Sequence, residues 1–270
     1  MDLLYVRRDD LARAVRVAGA AQGEIRLRHG LPRPHPNWVR CSDLLADLGG
    51  WADRVTAWLK HEYGEAPDRV VAGYLLSWYL TVPAQAAALL FHTARRVPAL
   101  GPTDLAVRFA DDSPRPVETA LLGDAFACLA DDPAAHSPHA TPLAGDAPLA
   151  AVLRGRYAAH AARFLTALGD ALGERIRFGR HTLWASATDA LDGAFWRTGQ
   201  YCGNESAGAT NAALVLPGAL APFTSGSTLR PAAGTDSADA WTRRRESCCF
   251  HYVLRSGVGT CATCPRVAMR

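Results

Sequence analysis

Lysine is almost missing from this sequence of 270 residues, because Lys60 is the only one and arginine supplies the other basic side chains. In a chain so rich in alanine, we attribute this bias to codon usage. The formal net charge is only +3, which is too small to imply a polyanionic partner, so we expect no nucleic-acid partner. Neither a Gly-x-Gly-x-x-Gly nor a Walker-type loop is present, so the sequence indicates no nucleotide site of its own.

No apolar secretory segment follows Met1, because a run of charged residues, Arg7 to Asp10, begins only a few positions later. We therefore expect a cytoplasmic chain whose thiols stay reduced. Residues 70–91 carry no charge and are long enough to span a bilayer. Pro83 divides this run, so we predict a buried kinked helix or a helical pair; peripheral membrane association stays open as an alternative.

The pattern of apolar residues predicts a mainly α (α+β) fold with one short antiparallel β element. The predicted hairpin pairs residues 105–109 with 116–122, and four prolines make residues 131–148 a predicted loop or linker. The predicted helices cover residues 9–22, 42–48, 51–63, 149–172 and 174–201. We predict three parts: a helical subdomain with the hairpin (1–135), a second helical subdomain (149–240) and a small C-terminal tail (241–270), whose cysteines are described next.

Four of the seven cysteines lie close together near the end of the chain. Cys248 and Cys249 are adjacent, eleven residues follow, and Cys261 and Cys264 complete the set, while the other three cysteines are scattered. A Cys-x-x-Cys turn directs two sulfurs at one centre, and four thiolates suit zinc or an iron–sulfur cluster. Adjacent cysteines serve a two-iron cluster with less strain than one tetrahedral ion, so the spacing favours [2Fe–2S] over zinc. A disulfide-bonded tail fits an odd number of cysteines poorly.

This arrangement resembles the FhuF-like ferric-siderophore reductase family. The resemblance lies in the arginine-rich lead-in (Arg243 to Arg245), the Ser-Cys-Cys sequence, a loop with aromatic residues and glycines, and Cys-x-x-Cys-Pro near the end. The interval between the cysteine pairs is one residue longer than in the family pattern. The resemblance implies a [2Fe–2S] cluster bound by four ligands: Cys248, Cys249, Cys261 and Cys264.

The implied activity is one-electron reduction of siderophore-bound Fe(III), which releases Fe(II) in the cytoplasm. The implied partners are a ferric siderophore of hydroxamate type and a separate electron donor, such as a ferredoxin or a flavin reductase. The sequence marks no catalytic residue. The groups that could touch the chelate are Arg180, His181, Trp184, Arg197 and His251, although core packing is the commoner role of a helical tryptophan such as Trp184.

Two other classes of protein stay open at this point. One is a non-enzymatic helical binding protein whose tail is stabilised by zinc. The other is an iron or redox sensor, but no helix with a basic DNA-binding face supports this class. The arginine run, Arg243 to Arg245, could raise the potential of a cluster, dock an acidic donor, or simply be solvated.

Overall fold

The protein is described by a computed structural model that covers residues 10–19, 25–32, 37–232, 240–256 and 259–266. Seven α-helices lie in these residues: α1 (Asp10–Ala18), α2 (Cys41–Ala46), α3 (Leu48–Tyr63), α4 (Asp68–Ala94), α5 (Asp146–Leu172), α6 (Arg180–Tyr201) and α7 (Glu205–Val215). A 3-10 helix (His251–Val253) lies between the two cysteine pairs.

Short strands in the described residues form three small sheets. The strands are β1 (Arg26–His29), β2 (Trp38–Arg40), β3 (Arg96–Pro98), β4 (Leu105–Phe109), β5 (Pro116–Leu121), β6 (Phe126–Leu129), β7 (Ala140–Leu143), β8 (Arg230–Pro231) and β9 (Trp241–Thr242). Their orders are β1-β5-β4-β2, β3-β6-β7 and β8-β9. Strands β4 and β5 pair antiparallel, so the predicted mainly α fold with an antiparallel element is confirmed.

The parallel pairings were not predicted. Strand β1 pairs parallel with β5, and β6 pairs parallel with β7. Residues 131–148, expected to be a loop, contain β7 and the start of α5. Each of these short strands forms only by hydrogen bonding to a partner, so the local turn signals of the prolines did not reveal it. The predicted division into three parts stays a prediction; one hydrophobic cluster contains residues from Leu11 to Leu254.

The boundary between α2 and α3 differs from the prediction. We expected Gly49 and Gly50 to break the helix, but both lie inside α3, and the break falls at Asp47. The Asp47 carboxylate accepts a hydrogen bond from the Gly50 amide (3.2 Å) and so caps α3. A Cβ atom at Gly50 would lie 2.5 Å from that carboxylate. A side chain at Gly50 would therefore require the capping carboxylate to shift.

Helix α4 runs through the core as one continuous helix that includes Pro83, so the alternative of a helical pair is wrong. Among the described helices, it alone is long and apolar enough to cross a membrane by length and composition, and 78% of its most apolar window is buried inside the protein. It packs along α6, whose central part is buried even at polar positions such as Asp189 and Asp192. These two helices hold the cysteine-rich end of the chain.

Candidate metal centre

Asp189 of α6 anchors the segment that leads into the first cysteine pair. Its carboxylate accepts hydrogen bonds from the Ser247 amide (2.7 Å), the Ser247 hydroxyl (2.6 Å) and the Glu246 amide (3.1 Å). Asp189 is only 5% exposed. Burial raises its pKa, against the effect of the hydrogen bond from Ser247 and of the Arg243 charge. A buried carboxylate with three donors thus fixes the backbone directly before Cys248.

Two glycines let the segment lie against the helices. A Cβ atom at Gly73 of α4 would be 2.6 Å from the carbonyl oxygen of Cys249. A Cβ atom at Gly193 of α6 would be 2.6 Å from the Arg243 guanidinium. Both distances are shorter than real contacts allow, so a side chain at Gly73 would displace the backbone of the segment, and one at Gly193 would move the Arg243 guanidinium.

All four C-terminal cysteines line one cavity of about 270 Å³. The Cys264 amide donates to the Cys261 carbonyl (2.9 Å), which closes the Cys-x-x-Cys turn. The Phe250 amide donates to the Cys248 sulfur (3.4 Å), and Phe250 has a positive φ of 60°. Adjacent side chains in an extended strand point apart, but Cys248 and Cys249 lie outside any strand and both line the cavity.

Three consecutive arginines precede the cysteines and have different surroundings. Arg243 is buried and donates to the Asp189 carbonyl (2.5 Å). Arg244 is exposed and donates to the Pro265 carbonyl (3.1 Å). Arg245 lies among the sulfurs, with its Nη2 atom 2.7 Å from Cys261 Sγ and 3.9 Å from Cys249 Sγ. The sequence could not distinguish these three residues, and the structure brings only Arg245 into hydrogen-bond contact with the thiols.

Helix α4 forms the opposite wall of the cysteine cavity through Tyr74, Ser77 and Trp78. The Tyr74 hydroxyl is hydrogen bonded to His251 Nδ1 (2.7 Å), and the Tyr74 and Trp78 rings meet edge to face at 5.0 Å. Burial, more than the neighbouring Tyr63, raises the pKa of Tyr74, so its hydroxyl stays protonated. Sequence reasoning missed this wall because it treated residues 70–91 as one buried run. The sequence signal that could have indicated this wall was Ser77, a polar residue between the aromatic residues Tyr74 and Trp78.

The predicted chelate-contacting residues lie in different places. His251 lines the cysteine cavity. Arg197 lines a second, polar cavity of about 90 Å³ on the other side of Cys248 and Cys249. Arg180 and His181 are exposed at the start of α6 and are not among the residues that line either cavity.

Trp184 is 8% exposed and packs edge to face on Phe223 (6.0 Å), which is the core role considered for it above. The cysteines outside the motif do not line the cysteine cavity either. Cys41 and Cys128 are buried, and Cys202 is half-buried at the end of α6. The structure therefore brings together the four clustered cysteines and His251, and it adds Tyr74, Ser77 and Trp78.

The donor set fits an iron–sulfur cluster. Four thiols share one cavity, and N–H groups of Arg245 and Phe250 point at their sulfurs. Within the described residues, no group of three or more Cys, His, Asp or Glu side chains is arranged to hold a single metal ion.

The comparisons with known proteins agree with this chemistry. The C-terminal segment is that of an iron–sulfur protein with a [2Fe–2S] cluster. Residues 245–266 match the family described as the FhuF 2Fe-2S C-terminal domain. This match confirms the FhuF-like resemblance and the [2Fe–2S] cofactor predicted from the sequence, and it favours the cluster over zinc. No curated protein matches the chain.

Proposed function

We propose that the protein is a cytoplasmic ferric-siderophore reductase that binds its [2Fe–2S] cluster through Cys248, Cys249, Cys261 and Cys264. The observation that carries the proposal is the single cavity that these four thiols line, within the matched segment. The bound cluster supplies one-electron transfer. The substrate is a ferric siderophore, of hydroxamate type by resemblance to the family, and the electron comes from a separate donor such as a ferredoxin or a flavin reductase.

The overall reaction adds one electron from the reduced donor to the Fe(III) of the chelate and yields Fe(II). Siderophores hold Fe(III) through hard oxygen donors, and Fe(II) is a weaker partner for such donors. The added electron therefore loosens the iron, and no bond of the ligand has to break. The protein needs to hold the chelate close to the sulfurs and to keep the electron from other acceptors.

The cysteine cavity supports placing the chelate against α4. Its wall offers the Trp78 ring and the hydroxyl groups of Tyr74 and Ser77, and His251 and Tyr252 lie at the same cavity. Aromatic surfaces with a few polar groups are typical of small-molecule sites. Arg180 and His181, which the sequence suggested, stay the competing prediction for the chelate site.

The ligand assignment is tested by spectroscopy on protein purified without oxygen. Wild type should show visible bands that dithionite bleaches, with iron and acid-labile sulfide in equal amounts. Cys261→Ser should lose these bands while its helical circular dichroism stays close to wild type. Cys202→Ser is the matched control and should keep them. A chromophore that survives Cys261→Ser would refute the assignment of this ligand.

The activity is tested with a ferric hydroxamate, a reduced donor and a chromogenic Fe(II) trap. Trp78→Ala should weaken chelate binding about fivefold, since a stacked aromatic contact contributes on the order of 1 kcal/mol. Arg180→Ala and His181→Ala should bind like wild type. The opposite ranking would move the chelate site to the start of α6. Chelate binding without any Fe(II) formation by reduced protein would contradict the reductase function itself.

A further inference from the structure

Arg245 differs from Arg243 and Arg244 in the groups that lie nearest to its positive charge. Arg243 lies over Gly193 with its side chain 7% exposed, and its Nη1 atom is 3.7 Å from the Asp192 carboxylate. The charge of Arg243 is therefore largely offset inside the protein. Arg244 is exposed, so solvent and salt screen its charge. Arg245 is half-buried, and the nearest groups that its guanidinium contacts are thiols.

Arg245 also joins the two halves of the motif. Its Nη2 atom reaches one sulfur of each pair, Cys261 at 2.7 Å and Cys249 at 3.9 Å. Its backbone amide donates to the Thr263 carbonyl (3.1 Å), which lies inside the Cys-x-x-Cys turn. One residue thus holds the second pair of cysteines against the first through both its backbone and its side chain.

The Arg245 side chain has a donor to spare. Its Nε atom, like that of Arg243, is buried and has no hydrogen-bond acceptor among the residues that the structure describes, but only the Arg245 guanidinium also contacts the thiols. A buried N–H without a partner is costly, so such a group points to an acceptor at the site. Sulfur atoms of the cofactor are acceptors of the right chemistry, and hydrogen bonds to sulfur are one means by which proteins set cluster potentials.

We infer that Arg245 is the positioning residue that closes the two cysteine pairs around the cluster and stabilises its reduced form. The inference rests on the proposed cysteine ligands. Reduction adds one negative charge to a centre that its thiolates already make negative. A positive charge held at hydrogen-bond distance on a half-buried side chain favours that extra charge and raises the potential. Arginine suits this role because it does not lose its proton and its planar fork donates in two directions.

The test is the midpoint potential of the full-length holoprotein, measured by anaerobic titration with redox dyes and followed by visible and electron paramagnetic resonance spectra. Arg245→Gln should lower the one-electron equilibrium constant at least tenfold, which is about 59 mV. Arg245→Lys keeps the charge and loses the fork, so its potential should fall by less. Arg244→Gln is the matched control and should stay within about twofold of wild type.

Equal potentials for Arg245→Gln and Arg244→Gln would overturn the inference. If Arg245→Gln does not assemble a cluster, the midpoint potential of Arg245→Lys is the test. A lowered potential supports the role of the planar guanidinium, and a wild-type potential overturns it. Failure of the underlying ligand assignment has a different signature, because the chromophore would then survive Cys261→Ser. Neither readout depends on chelate reduction, so a wrong substrate would leave the result unchanged.

Discussion

Helices α4 and α6 both hold the cysteine segment, and they do so by different physical means. Helix α4 contacts it through shape: Gly73 admits the Cys249 carbonyl, and the Tyr74 and Trp78 rings form the wall of the cavity. The closest polar contact on this side is the hydrogen bond between Tyr74 and His251 (2.7 Å). The α4 side therefore combines one close backbone contact at Gly73 with a largely aromatic cavity wall.

Helix α6 contacts the same segment through charge. Asp189 accepts three hydrogen bonds from Glu246 and Ser247, and Asp192 lies 3.7 Å from the Arg243 guanidinium. The cysteines thus lie between an aromatic surface on α4 and a charged surface on α6. Changes of volume should disturb the α4 side, and changes of charge or hydrogen bonding should disturb the α6 side.

The largest effect should come from a methyl group on α4. Gly73→Ala places a Cβ atom 2.6 Å from the Cys249 carbonyl, and backbone cannot move aside as a flexible side chain can. Overpacking of this kind costs about 1–3 kcal/mol, and here it displaces Cys249, one of the proposed ligands. We expect iron content to fall below about half of wild type, measured by iron and sulfide analysis.

Gly155→Ala is the control for that change. Gly155 is an exposed residue of α5, and a Cβ atom placed there would have no atom within 4 Å. Alanine there should stabilise the helix by about 0.5–1 kcal/mol and leave the iron content unchanged. Full cluster occupancy in Gly73→Ala would show that the α4 contact is looser than the distances indicate.

The face of α4 that looks away from the cavity carries a pH-dependent contact. His160 of α5 is 1% exposed, and its Nε2 is 2.9 Å from the Tyr79 hydroxyl. Its Nδ1 contacts the Leu100 carbonyl; because a carbonyl only accepts, Nδ1 carries the proton and Nε2 accepts from Tyr79. Burial lowers the pKa of His160 to about 4 against the effect of the Leu100 carbonyl, and Arg163 lowers it further.

Below pH 6.5 the unfolded chain takes up a proton that the folded protein excludes. Stability is therefore complete above pH 6.5 and is lost as the pH falls towards 4. The difference corresponds to about 3 kcal/mol, measured by urea unfolding of protein with a fixed cofactor content. His160→Gln should be less stable at neutral pH and should lose most of this slope. An unchanged slope in His160→Gln would place the acid sensitivity elsewhere, for example on the charged α6 side.

The comparison of α4 with α6 also explains which features of the fold and of the site could be predicted from the sequence. The cysteine motif is local, so its spacing favoured a [2Fe–2S] cluster over zinc, and the family resemblance that rests on it implied the cluster. The helices were predicted because their apolar periodicity is local too. The surfaces of α4 and α6 that contact the cysteine segment were not predicted, because their contacts join distant positions. Tyr74 and His251 are 177 residues apart, and Asp189 and Ser247 are 58 residues apart.

Single-residue roles were hidden for the same reason. Arg243, Arg244 and Arg245 are equivalent in sequence, and only packing against α6 and the second cysteine pair separates them. Gly73 looked like one more small residue in an apolar run, because its reason for being glycine is a carbonyl group far along the chain. The parallel strand pairs β1–β5 and β6–β7 likewise depend on partners that no local pattern identifies.

A subtler change on α6 should separate anchoring from folding. Asp189→Asn keeps one acceptor oxygen and replaces the other by a donor, so at least one of the Glu246 and Ser247 donors meets an N–H group. The loss should be about 1–3 kcal/mol, confined largely to the cysteine segment. Hydrogen exchange should therefore speed up at the amides of Glu246 and Ser247, with little change in the helices.

Asp192→Asn is the matched variant, one helical turn further along α6. Its carboxylate binds Ser227 and Thr228, so faster exchange should appear in that loop, with a smaller effect near the cysteines through Arg243. The same exchange pattern in both variants would mean that the charged face of α6 acts as one unit. Distinct patterns would show that α6 holds the cysteine segment through Asp189, as the hydrogen-bond distances indicate.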